Sequence, residues 1–160
     1  MQYNTTSQGK NILFIKEKIS EIKIALFKSD INSELKLPVN VIQTLKVEED
    51  GTIWFFTTAY NNYYLKYIDK PFYAYLDYYK KGVDCRLKLS GHAIIVNDHT
   101  DDIYPINFPI ESYNGVLVKM KIQHAEFFET NTYNNVTWAD KIKSAVNHLF
   151  LPQHRTYNFS

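Results

Sequence analysis

Hydrophobic positions change their period soon after the start of the chain. Ile12, Ile15, Ile19 and Ile22 recur three and four residues apart, with Lys16, Glu17, Lys18 and Glu21 between them. Side chains at that spacing share one face of a helix, which predicts an amphipathic helix over about residues 10–22. From "KIALF" onward the period is two, the mark of strands with one buried face. In "PVNVIQTLKV" this puts Val39, Val41, Leu45 and Val47 on one face, and Asn40, Ile42, Thr44 and Lys46 on the other. Asp50-Gly51 predicts a hairpin turn, since glycine supplies the positive φ such turns need, and "TIWFFTT" is the return strand. "AYNNYYLKYIDK" does not alternate and stops before Pro71, so a short helix across the end of the sheet is expected.

Alternation resumes in "PFYAYLDYY", which turns at Lys81-Gly82 into "VDCRLKLSGHAIIV". There Val83, Cys85, Leu87 and Leu89 point one way, and Asp84, Arg86, Lys88 and Ser90 the other. Gly91 inside so long a strand predicts a bulge or a sharp bend. "NDHTDDIYPINFP" reads as a loop or irregular helix. "GVLVKMKIQHAEFFE" reads as a further strand with Val116, Val118, Met120 and Ile122 inward, and "TWADKIKSAVNHLF" as a closing amphipathic helix. The final "LPQHRTYNFS" is expected to dock on a partner or to stay loose. The fold class is therefore mainly β: a small closed or split β-barrel of about six mostly antiparallel strands framed by helices. Residues 1–160 are expected to form one domain, with the helix at about 10–22, the barrel at about 23–130, and the C-terminal helix and tail at about 136–160.

Composition narrows the chemistry. Hydrophobic residues at 45%, charged residues at 22% and a net charge of +1 exclude a disordered chain and give no general attraction to nucleic acid. Only Arg86 and Arg155 of the eighteen Lys and Arg residues are arginines, so any anionic ligand has few guanidinium forks to bind it. Cys85 is the single cysteine; its place on the apolar face reads as a buried inert thiol, and its lack of a partner fits a reducing compartment. No stretch approaches a membrane span and no leader is recognised, so a cytoplasmic location with no membrane partner is expected. His92, His99, His124, His148 and His154 show no ligand spacing, so no metal is expected, and no nucleophile motif supports a Ser-His-Asp or Cys-His site. The strand faces opposite the core stripe carry Tyr, Arg, Asn and Thr beside Lys46 and Lys88, a mix that faces covered by a second subunit often show.

The order of a helix, "IALF", "LKVEEDGTIWFFTTAYNNYYLKYIDKPFYAYLDYY", "CRLKLSGHAIIVND" and "VLVKMKIQHAEFF" resembles the FMN-binding split barrels of the pyridoxamine 5'-phosphate oxidase and general stress protein superfamily. The likeness spans roughly residues 10–130, and its most specific parts are "DGTIWFFT", the glycine of "LKLSGHAIIVND" and the "AEFF" ending. It implies a homodimer with FMN at the subunit interface. Carried over position by position, it implies cofactor contacts from Asn40, Val41, Ile42, Thr44, Phe56, Thr57, Asn61, Asn62, Tyr63 and Lys66, with Arg86 supplied by the partner subunit. Asn40 stands where relatives have an arginine and Tyr63 where they have a phosphate-holding lysine, Lys66 being the nearest substitute. Since a charge-assisted hydrogen bond contributes roughly 1.5 to 3 kcal/mol, the phosphate site is expected to be weakened.

Each of these residues also has a plainer structural role. Asn40 and Thr44 can be polar residues of a strand face, Thr57, Asn61 and Asn62 helix caps, and Tyr63, Tyr64 and Tyr67 packing residues. Arg86 can pair with Asp77 or Asp84. Two functions stay in view: an FMN-dependent oxidoreductase or stress-related flavoprotein whose small-molecule substrate is unknown, and a non-catalytic dimeric barrel that has lost tight FMN binding and takes another planar ligand or none. No catalytic acid or base is identified. Pyridoxamine phosphate oxidation itself is not expected, because the C-terminal segment offers only Arg155 for the substrate's phosphate.

Overall fold

Alternating burial along Ile24–Ser29, Thr52–Thr58, Phe72–Lys80 and Cys85–Val96 draws the chain around a single interior. The computed structural model describes residues 3–30, 40–59, 62–82, 84–96, 115–130 and 153–159. A helix α1 (Tyr3–Ile22) leads into β1 (Ile24–Ser29), β2 (Asn40–Val47) and β3 (Thr52–Thr58). A short 3-10 helix (Asn62–Tyr67) follows, then β4 (Phe72–Lys80), β5 (Cys85–Val96), β6 (Gly115–Glu129) and β7 (Gln153–Asn158). The strands lie in the order β3-β2-β1-β4-β5-β6-β7, and β3 also pairs with β6. Strands β1 to β6 thus close into a six-stranded antiparallel barrel, the mainly β fold that the alternation predicts. Closure satisfies the backbone groups that an open edge would expose.

Phe27, Phe55, Leu76, Tyr78, Leu87, Leu89, Met120 and Phe127 fill the interior. Helix α1 packs at the barrel end where the β2–β3 hairpin turns: Ile15 and Ile19 are buried, and Phe14 meets the Phe127 ring edge to face at 5.0 Å. Lys23 ends the helix in a left-handed conformation (φ 68°), donating its N–H to the Ile19 carbonyl at 2.7 Å. The short 3-10 helix covers the opposite end, where Tyr64, Tyr67 and Ile68 pack on the core and the Asp69 N–H reaches the Ile95 carbonyl at 3.1 Å.

Gly91 marks the corner expected of it. Ser90 pairs with His124 but Gly91 pairs with Ile122, so Gln123 is an extra residue bulged out of β6. At that point β6 changes partners on its other edge, from β3 (Thr52 opposite Lys121) to β7 (Asn158 opposite His124). The backbones approach so closely that a Cβ on Gly91 would sit 1.9 Å from the Lys121 carbonyl oxygen. Glycine is required there by contact, not by its φ.

Three expectations are corrected. Helix α1 begins at Tyr3, ahead of residue 10. Val41 does not share a face with Val47: it is 67% exposed while Ile42 is 3% exposed. The cause is a register shift between Thr44 and Lys46, which bulges Leu45 and carries the inward face from Ile42 and Thr44 to Val47. The tail is not loose, since Gln153–Asn158 forms β7 against β6. The segments "NDHTDDIYPINFP" and "TWADKIKSAVNHLF", together with Val39 and Val83, lie outside the described residues. Among the described residues no helix is long and apolar enough to cross a membrane.

Candidate functional site

The residues singled out in the sequence fall into two groups, one inside the barrel mouth and one on its outer face. At the mouth, β2 begins beside the end of β3. Asn40 Nδ2 donates to Thr58 Oγ1 at 2.7 Å, and Thr57 Oγ1 donates to Asn40 Oδ1 at 2.9 Å. Both ends of the Asn40 amide are therefore engaged by hydroxyls, and Thr57 is only 1% exposed. Deeper in, Thr44 Oγ1 and the Tyr78 hydroxyl share a short hydrogen bond that satisfies a phenol otherwise surrounded by apolar side chains. Burial raises the Tyr78 pKa, with the Thr44 bond opposing, so the phenol stays neutral. Ile42 points into the core beside them. Phe56 faces outward and is half-buried, and Lys66 is exposed on the last turn of the short helix. Asn61 and the side chains of Asn62 and Tyr63 lie outside the described residues.

The outer face is a continuous surface of β2, β1, β4, β5, β6 and β7. Register sets Val41, Leu26, Asp77, Lys88, Glu126 and Thr156 in one row across it. The neighbouring row holds Gln43 and Ile24 on β2 and β1, and Arg86, Phe128 and His154 on β5, β6 and β7; Tyr79 of β4 stands opposite Arg86. Ile24, Val41, Tyr75, Tyr79 and Phe128 are large apolar or aromatic side chains exposed here. They flank a groove of about 400 Å³ whose lining includes Tyr75, Asp77, Arg86, Ser90 and His124. Exposed apolar side chains grouped on one sheet face make it a candidate binding surface. Of these side chains only Val41 and Arg86 were singled out as ligand contacts from the sequence. The available signal was strand phase: alternation in "FYAYLDYY" turns Tyr75 and Tyr79 out once Tyr78 is placed inside.

Arg86 is held by an intrachain partner. Its Nε donates to Asp77 Oδ1 at 2.9 Å and its Nη2 donates to Asp77 Oδ2, a two-pronged fork between adjacent strands. The Asp77 hydrogen bond raises the guanidinium pKa further, against a small burial effect. Of the two partners available in sequence, Asp77 holds the arginine, while Asp84 accepts a long hydrogen bond from the Tyr79 hydroxyl at 3.5 Å. Val41 and Arg86 are three strand spacings apart, about 14 Å across the sheet, and Asn40 and Thr57 face inward. One chain does not bring Arg86 to the mouth.

Hydrolytic chemistry finds no support here. Ser90 and His124 are cross-strand neighbours, but the Ser90 hydroxyl pairs with the Tyr73 hydroxyl at 3.3 Å. Both imidazole nitrogens are occupied, Nδ1 by Asn158 Oδ1 at 2.6 Å and Nε2 by Glu126 Oε1 at 3.3 Å. Cys85 is buried in the apolar face and burial pushes its thiol pKa up, so it is no nucleophile.

An FMN cofactor asks two things of these residues. Its ring system needs apolar and aromatic surface, which the outer face supplies. Its phosphate needs cationic forks or free N–H donors, and two of the described residues expected to hold it are committed elsewhere: Asn40 is neutral with both amide ends bonded, and Arg86 is shared with a carboxylate, while Lys28 and Lys88 also line the groove. The residues described suit a planar ring better than its anionic tail.

No protein-family profile matches the chain, and no curated protein does. Solved structures do match its fold. A protein assigned as general stress protein 26 from Jannaschia sp. CCS1 superposes with a TM-score of 0.61 at 13% identity, covering 89% of this chain and 94% of that one. A general stress family protein from Xanthomonas campestris pv. campestris gives 0.55 at 15% identity, covering 86% and 96%. A Clostridium acetobutylicum protein related to general stress protein 26 of B. subtilis, of the pyridoxinephosphate oxidase family, gives 0.56 at 14% identity, covering 94% and 96%. At these identities the likeness is one of fold, extending over nearly the whole of each chain. The barrel is the split barrel of general stress protein 26 and pyridoxinephosphate oxidase family structures, the fold that the order of its sequence motifs implied.

Proposed function

We propose that the chain works as a homodimer that holds a flavin-type planar ring between its subunits, through the ring system and without a dedicated phosphate site. The observation that carries this reading is the exposed apolar face bearing Ile24, Val41, Tyr75, Tyr79 and Phe128 on a barrel of the general stress protein fold. A second copy would cover that face, removing five large side chains from water at about 25 cal/mol per Å² of apolar area. Arg86 and the β2–β3 mouth, separate within one chain, would then be brought together from opposite subunits. The ring itself would supply any redox chemistry, and this chain's residues would position it and exclude water. Ser90 and His124 are hydrogen-bonded to Tyr73, Asn158 and Glu126, so this reading assigns neither an acid-base role and leaves the redox chemistry of an oxidoreductase or stress-related flavoprotein to the ring.

The paired state of Arg86 and the neutral amide at Asn40 favour a second reading, a dimeric barrel that binds another planar ligand or none. Visible absorbance of the purified protein, followed by thermal shift with FMN, FAD, riboflavin and haem, separates the two. Flavin bands or stabilisation by a flavin support the first reading. Stabilisation by haem alone, or by none of the four, leaves the second.

A further inference from the structure

We propose that Asp77 sets the charge selectivity of the ligand cleft: by neutralising Arg86 it removes the preference for a phosphorylated over an uncharged flavin, so the natural ligand class is a neutral planar ring. This rests on the reading that a flavin-type ring binds on the outer face.

The geometry carries it. Asp77 and Arg86 face outward from adjacent strands, and the guanidinium presents Nε and Nη2 to the two carboxylate oxygens. The arginine remains about half exposed (47%), so it meets a ligand as part of a pair with no net charge. A phosphate approaching its remaining N–H groups would also approach the carboxylate, and that repulsion offsets most of the attraction. Lys88 stands opposite Asp77 and Glu126 opposite Lys88, so signs alternate along the row, and Lys28, opposite Tyr75 on β1, is the cation of the groove lining left over once these carboxylates are counted. At the mouth, Asn40 adds no charge and both ends of its amide are bonded. Tyr75 and Tyr79, on the same strand as Asp77, flank this pair and offer aromatic surface.

Asp77→Asn keeps the shape and removes the charge. Equilibrium titration of flavin fluorescence, with FMN and riboflavin against the purified 160-residue chain, gives a dissociation-constant ratio for each protein. For wild type the two ligands should bind within about threefold of each other. Asp77→Asn should improve FMN by about tenfold and leave riboflavin unchanged, the size of one charge-assisted contact in a partly exposed site. That gain should fade as salt is raised from about 0.05 to 0.5 M, because exposed charges are screened over these distances. Adding Arg86→Ala to Asp77→Asn should abolish it, which a merely structural effect of Asp77 would not do. A wild-type preference for FMN of about a hundredfold, or no FMN gain in an Asp77→Asn protein with an unchanged melting temperature, overturns the assignment. Failure of both flavins to bind either protein would instead sink the ring-binding reading, and this proposal with it.

Discussion

Gly91 is the residue whose replacement the fold tolerates least. Any side chain there begins 1.9 Å from the Lys121 carbonyl oxygen, which belongs to a paired strand and cannot swing away. Gly91→Ala should cost on the order of 3 kcal/mol, read by chemical denaturation; an unchanged midpoint would mean that the two strands part more easily than their pairing implies. Thr44 and Tyr78 offer a second test. Thr44→Val leaves the Tyr78 hydroxyl buried without its partner and should cost about 1–3 kcal/mol, whereas Thr44→Val with Tyr78→Phe should recover much of that loss. Additive losses would show that the hydrogen bond does not couple the pair. Both positions were singled out in the sequence for reasons that the structure separates. Gly91 was legible because a glycine breaks a long alternating run chiefly where the backbone bends or a neighbouring strand leaves no room for a side chain. Thr44, a ligand candidate by resemblance, turned out to face Tyr78, and no local pattern encodes that partner.

Strand β6 organises the elements, since its fifteen residues pair with β5 along one edge and with β3 and then β7 along the other. Where β3 hands over, Lys121 Nζ reaches the Asp50 carboxylate at 2.7 Å and ties the β2–β3 turn to β6. That hydrogen bond holds the Asp50 pKa below the ordinary 3.8. A depressed folded pKa stabilises the protein above the unfolded value, and the contribution is lost as pH falls through the folded one. The stability gap between wild type and Asp50→Asn should therefore be constant at neutral pH and close below pH 3.8. Both side chains are half exposed, so the gap should be small and should shrink with salt. A gap that widens on acidification would contradict the pairing. The alternation of β4, β5 and β6 was readable because one face of each lines a closed interior. β2 misled because the Leu45 bulge moves its phase in mid-strand, and β7 was missed because "QHRTYN" has no apolar period and owes its structure to β6.

At the level of the molecule, the closed barrel explains stability, and the unsatisfied surface lies outside it. Six strands with no free edge bury a core that includes Phe27, Phe55, Tyr78 and Phe127, yet Ile24, Val41, Tyr75, Tyr79 and Phe128 remain on the outer face. Resemblance in motif order was enough to foresee the split barrel, because the alternating strands and the glycine at the β5–β6 corner can be read from the sequence. The candidate site was less legible, since the pairing of Arg86 depends on a carboxylate nine residues earlier that only the β4–β5 register brings alongside. Subunit association and ligand binding should rise and fall together. The most direct measurement is flavin titration, with light scattering of the same samples, for wild type and Val41→Asp, a change at a 67% exposed position that leaves the core untouched. Wild type should be a dimer of the 18.8 kDa chain that binds one flavin per subunit, and Val41→Asp a folded monomer that binds none. A monomeric wild type, or a Val41→Asp monomer that binds flavin as tightly as wild type, would contradict a ring held between subunits.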